Sequence, residues 1–137
     1  MQPARPVDHR LSLDDPRVAE FWRERHLCTL TTLDGDGRPH VVPVSATLDA
    51  AAGIARVITS GPSVKARNIA PEGSPVALCQ VDGRRWTTLE GTALVRPGAA
   101  EVADAEARYA ERYGKPPRKN PLRVVLEIRV ERILGRV

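Results

Sequence analysis

The residues best suited to chemistry crowd into Arg56–Asn68, where Thr59, Ser60, Ser63, Lys65, Arg67 and Asn68 follow one another closely. The run from Arg56 to Ser60 is rich in β-branched residues and reads as a strand end. Gly61-Pro62 breaks it, and Ser63 reads as the N-cap of a short helix reaching about Ala70. Ser63 and Arg67 are four apart and share a helix face; Lys65 and Asn68 are three apart. The strand end therefore delivers two hydroxyls, and the helix start delivers free backbone N–H groups, a serine and two cations. Orphan N–H groups and the helix dipole both favour an anion, so the pattern reads as a phosphate site. A plain strand–turn–helix with solvated Lys65 and Arg67 fits the same spacing, and both readings stand at this level.

The elements that must position this stretch follow from patterning. A chain of 137 residues is long enough for one domain with a real core. Only 4% of it is aromatic, so that core must be built from Val, Leu, Ile and Ala. Residues 1–12 are polar and read as a flexible arm, leaving 13–137 as the folded domain. Asp14-Asp15-Pro16 starts a helix to about Arg25, with Val18, Phe21 and Trp22 on its apolar face. Strands follow at 26–33 and 38–48, joined by the hairpin turn Asp34-Gly35-Asp36-Gly37. Pro43 lies inside the second of these and marks an edge or a bulge, because proline cannot donate to a ladder. Further strands are predicted over 54–60, 76–81, 84–95 and 122–134, with a helix over 99–113. The result is a mainly β protein, a six-stranded antiparallel split β-barrel with a few flanking helices.

Composition and motifs exclude several functions. The net charge of +4 suits an anionic small molecule, and the few scattered aromatics argue against a nucleic-acid surface. Cys28 and Cys79 form no C-x-x-C pair and no histidine stands at metal spacing, so no metal site is expected and the thiols read as reduced. Asp34–Gly37 resembles the start of a calcium loop, but the residue where a bidentate Glu belongs is Ser45. No apolar leader or transmembrane-length run occurs, which predicts a cytoplasmic protein without membrane contact. Dinucleotide, Walker, zinc-protease and serine-hydrolase motifs are missing, and no histidine has an acidic partner nearby in sequence. That profile fits a binding protein, or an enzyme whose chemistry is carried by a cofactor.

Three blocks carry a resemblance. The first is Leu27–Val44, containing Leu-Asp-Gly-Asp-Gly-Arg-Pro-His-Val-Val-Pro-Val; the second is Ile58–Asn68; the third is Asp82–Ala93. Together they resemble the flavin/deazaflavin oxidoreductases that share the split β-barrel of pyridoxamine 5′-phosphate oxidase. Within that family the chain is most similar to the coenzyme F420-dependent branch, and there to the biliverdin reductases, through Gln80–Trp86 and Ala107–Tyr113.

The resemblance implies a homodimer that binds coenzyme F420 and passes a hydride to biliverdin or a similar conjugated small molecule. It implies that Ser63 and Lys65 hold the cofactor phosphate, and that Ile58, Thr59 and Ser60 line its ribityl chain. His40, Val41, Val42 and Pro43 would lie beside the ring, and Gln80 and Trp86 would reach a cofactor across the two-fold interface. Several relatives carry a second basic residue where Ser63 stands, so Arg67 shares the phosphate in one version of this site. No residue is nominated as a catalytic acid or base. An FMN-binding oxidase or reductase of the same fold, and a non-catalytic flavin or tetrapyrrole carrier, are the alternatives.

Overall fold

The computed structural model describes residues 9–137. The first eight residues of the expected arm lie outside the described residues. Arg10–Leu11 form a short strand, β1, which pairs with the last strand, so the arm's end belongs to the fold. The remaining elements are α1 (Pro16–Phe21), β2 (Cys28–Leu33), β3 (Pro39–Val44), β4 (Ala46–Asp49), β5 (Ile54–Ser60) and α2 (Val64–Arg67), followed by β6 (Ser74–Asp82), β7 (Arg85–Arg96), α3 (Ala99–Tyr113) and β8 (Arg123–Arg136). Among the described residues no helix is long and apolar enough to cross a membrane.

The strands form one antiparallel sheet in the order β3-β2-β6-β7-β8-β5-β4, with β1 attached to β8. β3 and β4 stand at opposite ends of that order, yet only Ser45 separates them in the chain. The sheet must therefore curl until its ends meet at Ser45, and it opens where β3 runs on beside β2 alone. This is the expected split barrel, with eight strands in place of six. The single strand expected over 38–48 is two strands because its halves serve different partners: Thr29 pairs with Pro43, whereas Ala46 pairs with Val57.

Leu30, Leu78, Leu89, Leu126, Ile128 and Phe21 fill the interior, each essentially excluded from solvent. Each such side chain contributes about 1.5–3 kcal/mol of transfer free energy. Side chains of β7 alternate, with Thr87, Leu89 and Ala93 inward. In β8 the alternation holds through Leu126 and Ile128 and then changes phase, so that Ile133 is buried and Arg132 exposed. A bulge is the cause: Glu90 pairs with Arg132 but Gly91 with Val130, leaving Glu131 as the extra residue. A side chain at Gly91 would sit 2.0 Å from the Arg129 carbonyl oxygen, so only glycine allows this close crossing.

The first helix begins as its sequence dictates. Asp15 caps it by accepting from the Arg17 N–H, and Pro16 occupies the first turn. It ends at Phe21, a turn earlier than expected, because side chains from elsewhere take up the carbonyls of the following segment. Gln80 donates to Phe21 O, Arg112 to Glu24 O, and the Tyr113 hydroxyl to His26 O. α3 ends at Gly114, whose φ of 77° supplies the left-handed cap.

Candidate functional site

At the split, β3, β5, α2 and the loop after α3 enclose an open groove of about 370 Å³. Pro43, Ile58 and Lys65 line it, together with Tyr109, Arg118 and Arg123. Its β3 wall is an edge without a strand partner. Asp34 N–H donates to Arg38 O at 3.0 Å, and from there pairing alternates, so His40, Val42 and Val44 turn their backbone groups towards β2. Pro39, Val41 and Pro43 turn theirs towards the open edge. Two prolines thus remove two donors from this edge and leave the Val41 N–H between them. The same device keeps the edge from recruiting another strand.

The α2 end is built as its sequence implies. Ser63 is the N-cap of α2: its Oγ accepts from the Ala66 N–H at 3.3 Å and from the Thr59 hydroxyl at 3.1 Å. With both acceptor sites used, the Ser63 hydroxyl keeps its own proton to donate. Ser60 Oγ likewise accepts from Asn120 Nδ2 at 2.8 Å. Asn68 does not face the anion site; its Nδ2 donates to Thr32 Oγ1 at 2.9 Å and ties α2 to β2. Lys65 is half-buried and has no ion-pair or hydrogen-bond partner among the described residues. Arg67 is exposed at the far side of the turn.

Arg123, at the start of β8, pairs with Glu106 at 2.6 Å and donates to the Arg118 carbonyl at 2.6 Å. That clamp, with the Asn120–Ser60 bond, fixes the basic loop against β5. Arg118's own guanidinium has no partner among the described residues. The groove therefore holds two uncommitted cations, Lys65 at the α2 end and Arg118 on the loop. The only signal for Arg118 in the sequence is the basic Pro-rich run around it, and Arg123 has none.

Two expected cofactor residues stand elsewhere in the subunit. Gln80 is fully buried, and both ends of its amide are used: Nε2 donates to Phe21 O at 2.9 Å, and Oε1 accepts from Arg112 and from the Cys28 thiol. That side chain has nothing left to offer a cofactor, and Gln80 leaves the candidate set. Trp86 lies half-buried on the outward face of β7, its ring 5.8 Å from that of His9, and does not line its own chain's groove. His40 points inward from β3 with Nδ1 buried and unpartnered. Burial pushes the Cys28 thiol up to about 11, which keeps it protonated and unsuited to metal binding.

His26 does have an acidic partner nearby in sequence, contrary to the sequence reading: its Nε2 lies 3.0 Å from Glu24 Oε1, and with Asp82 the three bring ligand atoms within 4.8 Å of one another. Arg85 already sits between them, with Nη2 2.7 Å from Glu24 and 2.6 Å from Asp82. A metal ion there would meet a fixed positive charge, so the group reads as an ion-pair cluster that joins the 22–27 segment to the β6–β7 turn. Arg85 is thereby committed within its own subunit.

The fold and groove are those of a cofactor-binding split barrel, and comparison with known proteins agrees. The pyridoxamine 5′-phosphate oxidase family profile matches residues 14–136, and the chain belongs to that family. It is 54% identical over 129 residues, 94% of its length and 92% of the relative's, to the F420H(2)-dependent biliverdin reductase of Mycobacterium tuberculosis (strain CDC 1551 / Oshkosh). A conserved hypothetical protein of Mycobacterium tuberculosis superposes with a TM-score of 0.77 at 22% identity, over 96% of this chain and 89% of that one. A structure described as an F420 reductase superposes at 0.67 and 20% identity, over 83% of this chain and 93% of its own.

The ion-pair cluster generates a pH prediction. The hydrogen bonds from Arg85, and then from His26, lower the Glu24 carboxyl from 4.5 to about 2. A carboxyl lowered on folding adds stability above its unfolded value, and that stability is lost as pH falls through the folded value. Arg85→Gln should therefore melt lower than the parent at about pH 6, with the difference shrinking as pH falls towards about 2. A melting difference that stays constant over that range would remove the Glu24–Arg85 pair as its source.

Proposed function

We propose that this protein is a coenzyme F420-dependent oxidoreductase that passes a hydride from the reduced cofactor to biliverdin or a similarly conjugated small molecule. The observation that carries this is the 54% identity to a reductase of that activity, over a span that includes every groove residue. The groove supports it independently. A serine with a proton to donate and an unpaired lysine at one end suit a phosphate. The open β3 edge, with the Val41 N–H and the carbonyls of residues 39, 41 and 43, suits the polar rim of a flat ring.

In this reading Ser63 and Lys65 hold the phosphate, and Thr59 and Ser60 brace them. His40, Val41, Val42 and Pro43 lie beside the ring. Pro43 and Ile58 form an apolar wall that keeps water from the reacting face. When bound, coenzyme F420 would supply an electron pair as hydride to the methine carbon, and a proton from water would reach a pyrrole nitrogen to complete the two-electron-reduced tetrapyrrole. Arg118 stands where it attracts the propionates of the substrate, an attraction screened over about 8 Å at physiological ionic strength. The chain's contribution is orientation and a dry wall rather than acid–base chemistry.

The same reading includes a two-fold dimer. The outward residues of β3, β2 and β6 form cross-strand rows such as Pro43–Thr29–Cys79 and Val41–Thr31–Ala77. None of the residues on this strip is charged, and Val41 and Val81 are 57% and 60% exposed. A strip of that kind suits burial against its own copy. The half-buried Trp86 borders it through its pairing with Val81, which suits a role at a partner's groove.

Three outcomes test these statements. Reduced coenzyme F420, protein and biliverdin should yield bilirubin, with deuterium from labelled cofactor appearing at the central methine bridge. Absence of bilirubin while the cofactor binds would reject the substrate; unlabelled bilirubin would reject direct hydride transfer. Lys65→Ala should weaken coenzyme F420 roughly 10- to 100-fold, from loss of a charge-assisted contact of about 1.5–3 kcal/mol, with the fold intact. Unchanged affinity in a titration would take Lys65 out of the site. Thr31→Arg, which puts a charge in the middle of the apolar strip, should convert a dimeric mass in light scattering to a monomeric one; a parent that is already monomeric with cofactor bound would exclude the shared site.

A further inference from the structure

The two walls of the groove belong to the two halves of one chain segment, and the angle between them is set where the segment changes partners. Ser45 lines the groove at that point, and Ala46 is the first residue of the new pairing. Both backbone groups of Ala46 are held from α3. Its N–H donates to the Tyr113 hydroxyl at 3.1 Å, and its carbonyl accepts from Arg112 Nη1 at 2.5 Å. The Tyr113 proton lies between the carbonyls of His26, at 2.9 Å, and Ala46, at 3.0 Å.

Arg112 is itself immobilised. It is 8% exposed, and it has no carboxylate partner among the described residues; its remaining bonds go to Glu24 O and to Gln80 Oε1. Its guanidinium lies 4.9 Å from the centre of the Trp22 ring and 5.2 Å from that of Tyr113. A planar fork with four of its five N–H groups in use cannot slide or pivot as a lysine can. The position of Ala46 is therefore referred to the end of α1, to β6 and to α3 at once. One turn back along α3, Tyr109 lines the groove and packs on Tyr113, with ring centres 4.9 Å apart.

We propose that Arg112 and Tyr113 are positioning residues for the groove. By holding both backbone groups of Ala46 they set the step at Ser45, and through it the separation between the β3 edge and the Ile58–Lys65 wall. The proposal rests on the reading of that groove as the coenzyme F420 site. Neither residue touches the groove through its own polar groups, so each acts through Ala46 and, for Tyr113, through Tyr109.

Tyr113→Phe removes one hydroxyl and keeps the ring. Arg112→Lys keeps a charge but gives up the fork. Leu89→Ala, a core truncation on β7 that removes none of the clamp's hydrogen bonds, serves as a control for stability loss alone. Each is titrated with coenzyme F420 well below its melting temperature, and backbone amide spectra are recorded without cofactor. The proposal expects Tyr113→Phe, or Arg112→Lys should that variant fail to fold, to weaken the cofactor at least tenfold and to shift the Val44, Ser45 and Lys65 amides. Leu89→Ala should stay within twofold of the parent despite an equal or larger fall in melting temperature. Parental affinity in a folded clamp variant, or an equal loss in Leu89→Ala, overturns it. Should the parent itself fail to bind coenzyme F420, the cofactor reading falls; the amide shifts then decide the clamp alone, and shifts confined to His26 and Ala46 reject it.

Discussion

A guanidinium buried without a counter-ion among the described residues organises this subunit. Arg112 lies inside the barrel mouth against backbone carbonyls, a glutamine oxygen and two aromatic rings. Taking a charge out of water is costly, and a buried charge persists only where hydrogen bonds replace its hydration. Here the replacements come from groups that needed donors anyway. The segment between α1 and β2 has no regular structure, so its carbonyls have no ladder to join. Arg112, Gln80 and Tyr113 take those carbonyls, and each bond to the charged group contributes about 1.5–3 kcal/mol where a neutral one gives about 1. The irregular segment and the buried cation satisfy one another.

The groove follows from the same constraint at one remove. A curled sheet whose ends are consecutive in the chain closes at one point and splays beyond it. The closing point is Ser45, and the splay exposes the edge of β3. An open edge invites pairing with any strand, and Pro39 and Pro43 blunt it by removing donors. What remains is one N–H flanked by carbonyls, a pattern better suited to a heteroaromatic rim than to another backbone.

Electrostatics also bear on the groove. Arg17, Arg23, Arg85, Arg96, Arg108, Arg123 and Arg132 are all engaged by carboxylates of their own chain. Exposed pairs of that kind contribute little stability, but they do neutralise the cations that form them. Arg38, Arg67, Arg84, Lys115 and Lys119 are likewise unpaired among the described residues but do not line the groove, whereas Lys65 and Arg118 stand unpaired on its two walls. A net charge of +4 spread over the whole chain is a weak statement about ligands; two free cations facing the same 370 Å³ are a specific one.

Local chemistry in the sequence determined the start of α1 at Asp15-Pro16, the hairpin at Asp34–Gly37, the Ser63 cap and the alternation of β7. Each depends on residues within a few positions of one another, where capping, turn preference and period-two alternation act. The three-block pattern added the family and the likeness of the Ile58–Lys65 turn to a cofactor site. Tertiary structure alone decided the rest. The break at Ser45 arises because Pro43 pairs with Thr29 and Ala46 with Val57, partners on separate strands that no local pattern names. The change of face in β8 arises from a bulge enforced by the contact of Gly91 with Arg129. The family resemblance implied Gln80 as a cofactor residue; its burial beneath Arg112, thirty-two positions away, makes it structural instead. A side chain's partners are fixed by which distant strands meet, and that information lies in the closed sheet rather than in any stretch of the chain.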